Sequence, residues 1–103
     1  MRFVIDEEAG QEAREQVAWY AERDLSTARR IEELIVTTIE RIAYDPLQFP
    51  LMEIPDNPGG IRRARLPGFP VAIVYQVLED RVLVLAISHT SRQLGYWRYR
   101  EQR

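Results

Sequence analysis

Residues 61–92, IRRARLPGFPVAIVYQVLEDRVLVLAISHTSR, hold three consecutive extended runs separated by Pro67-Gly68 and Glu79-Asp80. The second and third runs are rich in Val, Ile, Leu and Tyr, too short for buried helices and bounded by turn residues, which predicts three strands of an antiparallel meander. Two-residue turns at both junctions fix which side chains share a face. One face then carries Ala64, Leu66, Phe69, Val71, Ile73, Tyr75, Val77, Val82, Val84, Ala86 and Ser88, with Arg62 as its single charge. That face is expected to lie under helices. The other face sets Arg65, Pro70 and His89 in one row and Arg63, Ala72 and Ile87 in the next, so two arginines and the chain's only histidine converge at one end. Pro then Gly suits a type II turn and not the primed turns of tight hairpins, and a longer loop or bulge there is expected to swap the faces of Arg62 and Arg63.

Upstream, Arg2 to Ile5 predicts a short strand, and Asp6 is placed to cap a helix from about 8 to 23 with Glu7 and Glu8 in its first turn. Its apolar stripe is Ala9, Ala13, Val17, Tyr20 and Ala21, leaving Glu12, Arg14, Glu15 and Glu22 to water, with Trp19 at the stripe's margin. A second helix, capped by Ser26, runs to Tyr44, where Asp45-Pro46 ends it. Its stripe is Ala28, Ile31, Ile35, Thr38 or Ile39, and Ile42, with Leu34 beside it. Residues 46–60 hold four of the six prolines and read as an ordered loop. The tail after Arg92 alternates aromatic and basic residues, which suits a short helix or a docked arm. The fold class is therefore α+β, in the order β-α-α-β-β-β, with a helix hairpin on one face of a mainly antiparallel sheet. Residues 1–103 are expected to form one domain.

Composition excludes several chemistries. The chain has no cysteine and one histidine, so neither a disulfide framework nor a protein-only metal site is expected. No phosphate loop or dinucleotide fingerprint is present, and no cofactor is expected. No signal-peptide core and no run near the ~18 apolar residues of a membrane span occurs, so a cytoplasmic protein without membrane contact is expected. All 14 basic residues are arginine, which cannot give up its proton, so only His89 among the basic side chains can serve as a general base. Residues 1–58 carry 6 arginines and 13 acids, whereas 59–103 carry 8 and 3. A basic pole beside aromatic residues suits nucleic acid or an acidic protein segment.

The order of elements, together with DPLQFP at 45–50, IRRARLPGFPVAIVYQV at 61–77 and VLVLAISHTSRQLGYW at 82–97, resembles the RelE/ParE toxin superfamily over nearly the whole chain. The ParE-like, or plasmid stabilisation, branch is the nearest. The resemblance implies a stable toxin of a type II toxin-antitoxin pair, neutralised by a labile antitoxin whose C-terminal segment wraps around it. It also implies one of two actions: growth arrest by inhibition of DNA gyrase, as for ParE, or ribosome-dependent mRNA cleavage, as for RelE-like endoribonucleases. RelE-like sites usually hold lysines, which are missing here; a reduced catalytic set would be His89, Arg65, Arg92 and Tyr96. The arginine excess favours gyrase inhibition without catalysis. A third reading, a non-toxic module that titrates an antitoxin, is separated from both by toxicity on expression. In each case Arg63, Arg65, Leu83, Leu85, Ile87, His89, Arg92, Trp97, Arg98 and Arg100 form the expected target- or antitoxin-binding surface, because apolar rows on an open sheet face are rarely left to water. Homo-oligomerisation is not specified by any feature of the sequence.

Overall fold

The computed structural model describes residues 1–102. Its elements are β1 (Arg2–Ile5), α1 (Glu7–Ala21), α2 (Leu25–Tyr44), β2 (Arg62–Arg65), β3 (Val71–Val77), β4 (Arg81–His89) and a closing 3-10 turn (Arg98–Arg100). The sheet order is β1-β4-β3-β2. β1 runs parallel to β4, and the other two pairings are antiparallel. The α+β architecture and the helix hairpin are as expected.

Both helices start on an aspartate. Asp6 accepts hydrogen bonds from the Glu8 and Ala9 N–H groups at 2.9 and 3.3 Å, satisfying two of the donors that a first helical turn leaves free. α2 is capped by Asp24, not by Ser26: the Asp24 carboxylate accepts from Ser26 N–H at 3.1 Å and from the Thr27 hydroxyl at 2.7 Å. Ser26 thus becomes a helical residue that supports the cap. The α2 stripe is buried as its 3.6-residue period predicts, at Ala28, Ile31, Ile35, Thr38, Ile39 and Ile42.

Two local features reset the register. Between β2 and β3 the loop is four residues long: Leu66 N–H donates to Val71 C=O at 2.9 Å, and Gly68 at φ 76° supplies the left-handed position of a Pro-Gly type II turn. Arg62 therefore pairs with Tyr75, two positions from the expected Ile73. A shift of two preserves the alternation of faces, so the longer loop does not exchange Arg62 and Arg63. Between β3 and β4 the Glu79-Asp80 turn holds the expected pairs as far as Tyr75 with Val84, then a bulge sets Val74 opposite Ala86. One extra residue does reverse the faces beyond it. Ile87 consequently joins the helix-side core, while Leu85 and Ala86 both lie in the core on the opposite side. Ser88 now pairs with Ala72, and His89 with Val71 and not Pro70.

Both faces of the sheet are covered. On the helix side Ile31, Ile35, Ile42, Ile73, Tyr75, Val82 and Val84 share one core. On the other side Met52, Ile54, Tyr96 and Trp97 pack over Ile61, Val74, Leu85 and Ala86. The Tyr75 hydroxyl donates to Pro46 C=O at 2.5 Å, which fastens the loop to the sheet. Burial pushes this phenol up to about 12, against the pull of Arg62. A pKa raised by folding favours the neutral phenol in the native state, so its contribution is complete below pH ~10 and is lost as pH rises towards 12. Unfolding free energy should accordingly fall by about 2–3 kcal/mol across that window. Tyr75→Phe should flatten this alkaline slope while costing about 1 kcal/mol at neutral pH for the lost hydrogen bond; denaturant titrations at stepped pH check both.

Candidate functional site

The chemistry-bearing residues gather where β4 ends and the chain turns into the arm of residues 93–102. Arg92 N–H closes this turn on His89 C=O at 3.1 Å, and Thr90 N–H donates to Pro70 C=O at 2.9 Å. A small cleft at this point is lined by Arg63, Val74, Ser88, His89, Arg92 and Tyr96. The structure thus brings Arg63 and His89 to one cleft, although the bulge has removed His89 from the row it was expected to share with Arg65. Arg65 is exposed and does not line the cleft.

The centre of the site is a residue expected in water. Glu12 is only 7% exposed, and its two oxygens accept from four donors. These are the Ile87 N–H at 3.1 Å, Arg100 at 3.0 Å, Arg92 at 3.2 Å and the Tyr96 hydroxyl at 2.6 Å. Glu12 follows Ala9 by three positions on α1, so it shares the sheet-facing side of the helix and reaches the bulge. Arg100 is held further by Glu8 at 2.8 Å and by Leu85 C=O at 3.0 Å. Burial opposes its charge, but the hydrogen bond to Glu12 and the charges of Glu12 and Glu8 outweigh this and raise its pKa above the ordinary value. A carboxylate inside an alanine-lined stripe, matched by a surplus of arginines and a tyrosine in the tail, is the signal by which sequence alone can find this hub.

The arm is tied at three further points. Gln76 exchanges hydrogen bonds with the Gln102 backbone at 3.0 and 2.9 Å. Arg98 donates to the Pro55 and Asp56 carbonyls at 2.8 and 2.7 Å and pairs with Glu101 at 3.4 Å. Trp97 is buried among Met52, Ile61, Val74, Leu85 and Ala86. Several expected binding residues therefore have internal partners: Arg98 and Arg100 fasten the arm, Trp97 fills the core, and Leu85 and Ile87 are fully buried on opposite faces. Leu83 is partly buried against the arm-side core. The open apolar sheet face expected from the sequence is covered by the chain's own tail. Among the described residues Arg63 and Arg65 have no carboxylate partner.

The proton inventory of the cleft is restrictive. Ser91 donates its backbone N–H to His89 Nδ1 at 3.0 Å, with its hydroxyl 2.7 Å from the same nitrogen. A backbone N–H only donates, so Nδ1 accepts and the ring proton resides on Nε2. Nε2 then presents no lone pair for a general base. Burial first, then the hydrogen bond to Glu12, holds the Tyr96 phenol above its ordinary value, so its proton stays on the oxygen and points at Glu12.

An apolar groove of about 440 Å³ opens elsewhere, between α1, α2 and β1, lined by Ile5, Ala13, Val17, Ile35, Val36 and Ile39. Gly10 forms part of its wall, and Arg14 and Glu32 also line it. The exposed Phe3 lies two positions before Ile5 on β1 and so shares its side of the strand. Val36, apolar yet off the buried α2 stripe, is the sequence signal for this groove.

A family model described as the ParE toxin of the type II toxin-antitoxin system parDE matches residues 3–94. Among solved structures the chain is similar to one described as a chromosomal ParDE TA system from P. aeruginosa. The TM-score is 0.72 at 17% identity, over 86% of this chain and 95% of that one; at such identity the likeness concerns the fold. No match was found among curated proteins.

Proposed function

The chain belongs to the family of ParE toxins of type II toxin-antitoxin systems, and from that premise we propose that it acts in the cytoplasm by binding and inhibiting DNA gyrase, without catalysing a reaction, and that a cognate antitoxin neutralises it. The observation that carries the non-catalytic reading is the hydrogen bond from Ser91 N–H to His89 Nδ1. Phosphodiester cleavage by 2'-hydroxyl attack needs a base with a free lone pair and an acid for the leaving oxygen. His89 is in the wrong tautomer for the first role. Tyr96 and Arg92 are engaged by Glu12, and no lysine stands in for them.

The antitoxin is assigned to the groove between α1, α2 and β1, because the sheet face that the sequence offered is occupied by the arm. An amphipathic segment fits there, with apolar side chains against Ala13, Val17 and Val36.

His89→Gln should leave growth arrest and gyrase inhibition within about threefold of the parent, whereas loss of a true general acid or base costs about 100–10,000-fold in rate. Supercoiling by gyrase and translation-dependent mRNA cleavage, measured side by side on the purified protein, provide the test. Messenger RNA cut in a His89-dependent way with gyrase unaffected would sink this reading.

A further inference from the structure

Two charges of opposite sign are set in the otherwise apolar lining of the groove: Arg14 on the α1 wall and Glu32 on the α2 wall. Both are exposed. They stand equally far from the helix corner at Arg23, yet among the described residues neither makes an ion pair with the other or with any third residue. Arg14 is held in place without being neutralised. Its Nε and Nη2 donate to the Gln11 side-chain oxygen at 3.2 and 2.9 Å, and its Nη1 lies along the wall at Gly10, 3.6 Å from where a Cβ of that glycine would stand. The neighbouring acids are turned to other donors: Glu15 accepts from Gln11 at 3.4 Å, and Glu8 pairs with Arg100 at 2.8 Å. Near Glu32, Arg30 is turned to Phe69.

The walls run over residues 10–18 of α1 and 32–39 of α2, about 12 Å at the ~1.5 Å rise of a helix, enough for roughly two turns of an occupant helix. Such a helix lays its apolar stripe on Ala13, Val17, Ile35 and Val36, and its two flanks then face opposite walls. Turning it end for end with the stripe still down exchanges the flanks. Opposite charges on the two walls therefore distinguish the two directions, attracting one arrangement of flanking charges and repelling the other. A second copy of the chain fits less well, because meeting face to face sets groove against groove and leaves both empty.

We infer that Arg14 and Glu32 select the antitoxin: its groove-binding helix carries a carboxylate on the flank facing α1 and a cation on the flank facing α2, and these charges fix its direction. The inference rests on the groove assignment made under the proposed function.

The test measures binding of the purified cognate antitoxin to the full chain and to Arg14→Glu, Glu32→Arg and Val36→Asp. The two charge reversals should melt as the parent does and bind antitoxin at least about 10-fold more weakly, the scale of a lost charge-assisted contact. Acids of the antitoxin are then replaced by lysine one at a time. One such replacement should restore affinity for Arg14→Glu while weakening affinity for the parent. Val36→Asp judges the groove itself. If it weakens binding while both reversals stay within threefold of the parent, the groove stands and the selecting role of Arg14 and Glu32 is overturned. If all three variants bind as the parent does, the antitoxin lies elsewhere and both readings fall. Weakening by the reversals with no rescuing lysine also overturns the inference, and so does self-association of the toxin in sedimentation that Val36→Asp abolishes.

Discussion

Glu12→Gln is expected to lower the unfolding free energy by about 3–5 kcal/mol, because it leaves a buried guanidinium without its counter-charge. The substitution keeps shape but not capacity. A carboxylate accepts from Ile87, Arg92, Tyr96 and Arg100 together, whereas an amide has one acceptor oxygen and brings two donors of its own. The Arg100 side chain, 6% exposed, retains Glu8, but that carboxylate is half in water and holds it less strongly. For a domain of this size each kcal/mol lowers the melting temperature by roughly 4–8 °C, so a fall of at least ~12 °C should appear in thermal scans. Arg100→Met, which removes the charge and keeps a long apolar side chain, should cost less than Glu12→Gln. The double variant should cost less than the sum, since the second change removes the orphaned cation that the first creates. Additive losses under about 1 kcal/mol each would place these groups in the class of surface ion pairs.

The contrast between Glu12 and the α2 stripe shows where sequence reading reached and where it stopped. Ile31, Ile35 and Ile42 recur at helical spacing and are buried, so periodicity alone found them. Glu12 lies on the sheet side of α1 by the same periodicity, but its chemical type argued for water. What reverses that argument is a set of partners more than 70 residues away in sequence, visible only once the arm has docked. The β4 bulge has the same character. Strand, turn and strand were legible in the Val, Ile and Leu runs around Glu79-Asp80, whereas one extra residue at Leu85–Ala86 leaves no mark on composition and reverses every face beyond it. Arg63 and His89 therefore reached a common cleft, while the rows that were to set Arg65 beside His89 and Arg63 beside Ile87 did not form. The arginines of the tail were legible as a charge surplus; their burial against Glu12, Glu8 and backbone carbonyls was not, because charge counting is silent on pairing.

Trp97→Ala should cost about 3–5 kcal/mol, the range for truncating a large aromatic side chain in a core. Trp97 is 1% exposed although it lies in the arm that follows the last strand, outside any helix or strand. Gly95, at φ 85°, turns the arm back so that Trp97 lands on Val74, Leu85 and Ala86. Stability and concealment are linked here. Removing the indole uncovers the apolar rows of the sheet, which then seek another cover. The loss should therefore come with binding of an apolar dye and concentration-dependent self-association in sedimentation, whereas Glu12→Gln, which keeps the indole, should show both more weakly at equal native fraction. Trp97→Phe separates packing from the indole itself: it should recover more than half of the lost stability and keep the protein monomeric if covering the sheet is the role of this residue. A Trp97→Ala variant that melts within a few degrees of the parent and binds no dye would mean that the loop residues Met52 and Ile54 suffice to cover that face, and that the arm is held by Glu12 alone.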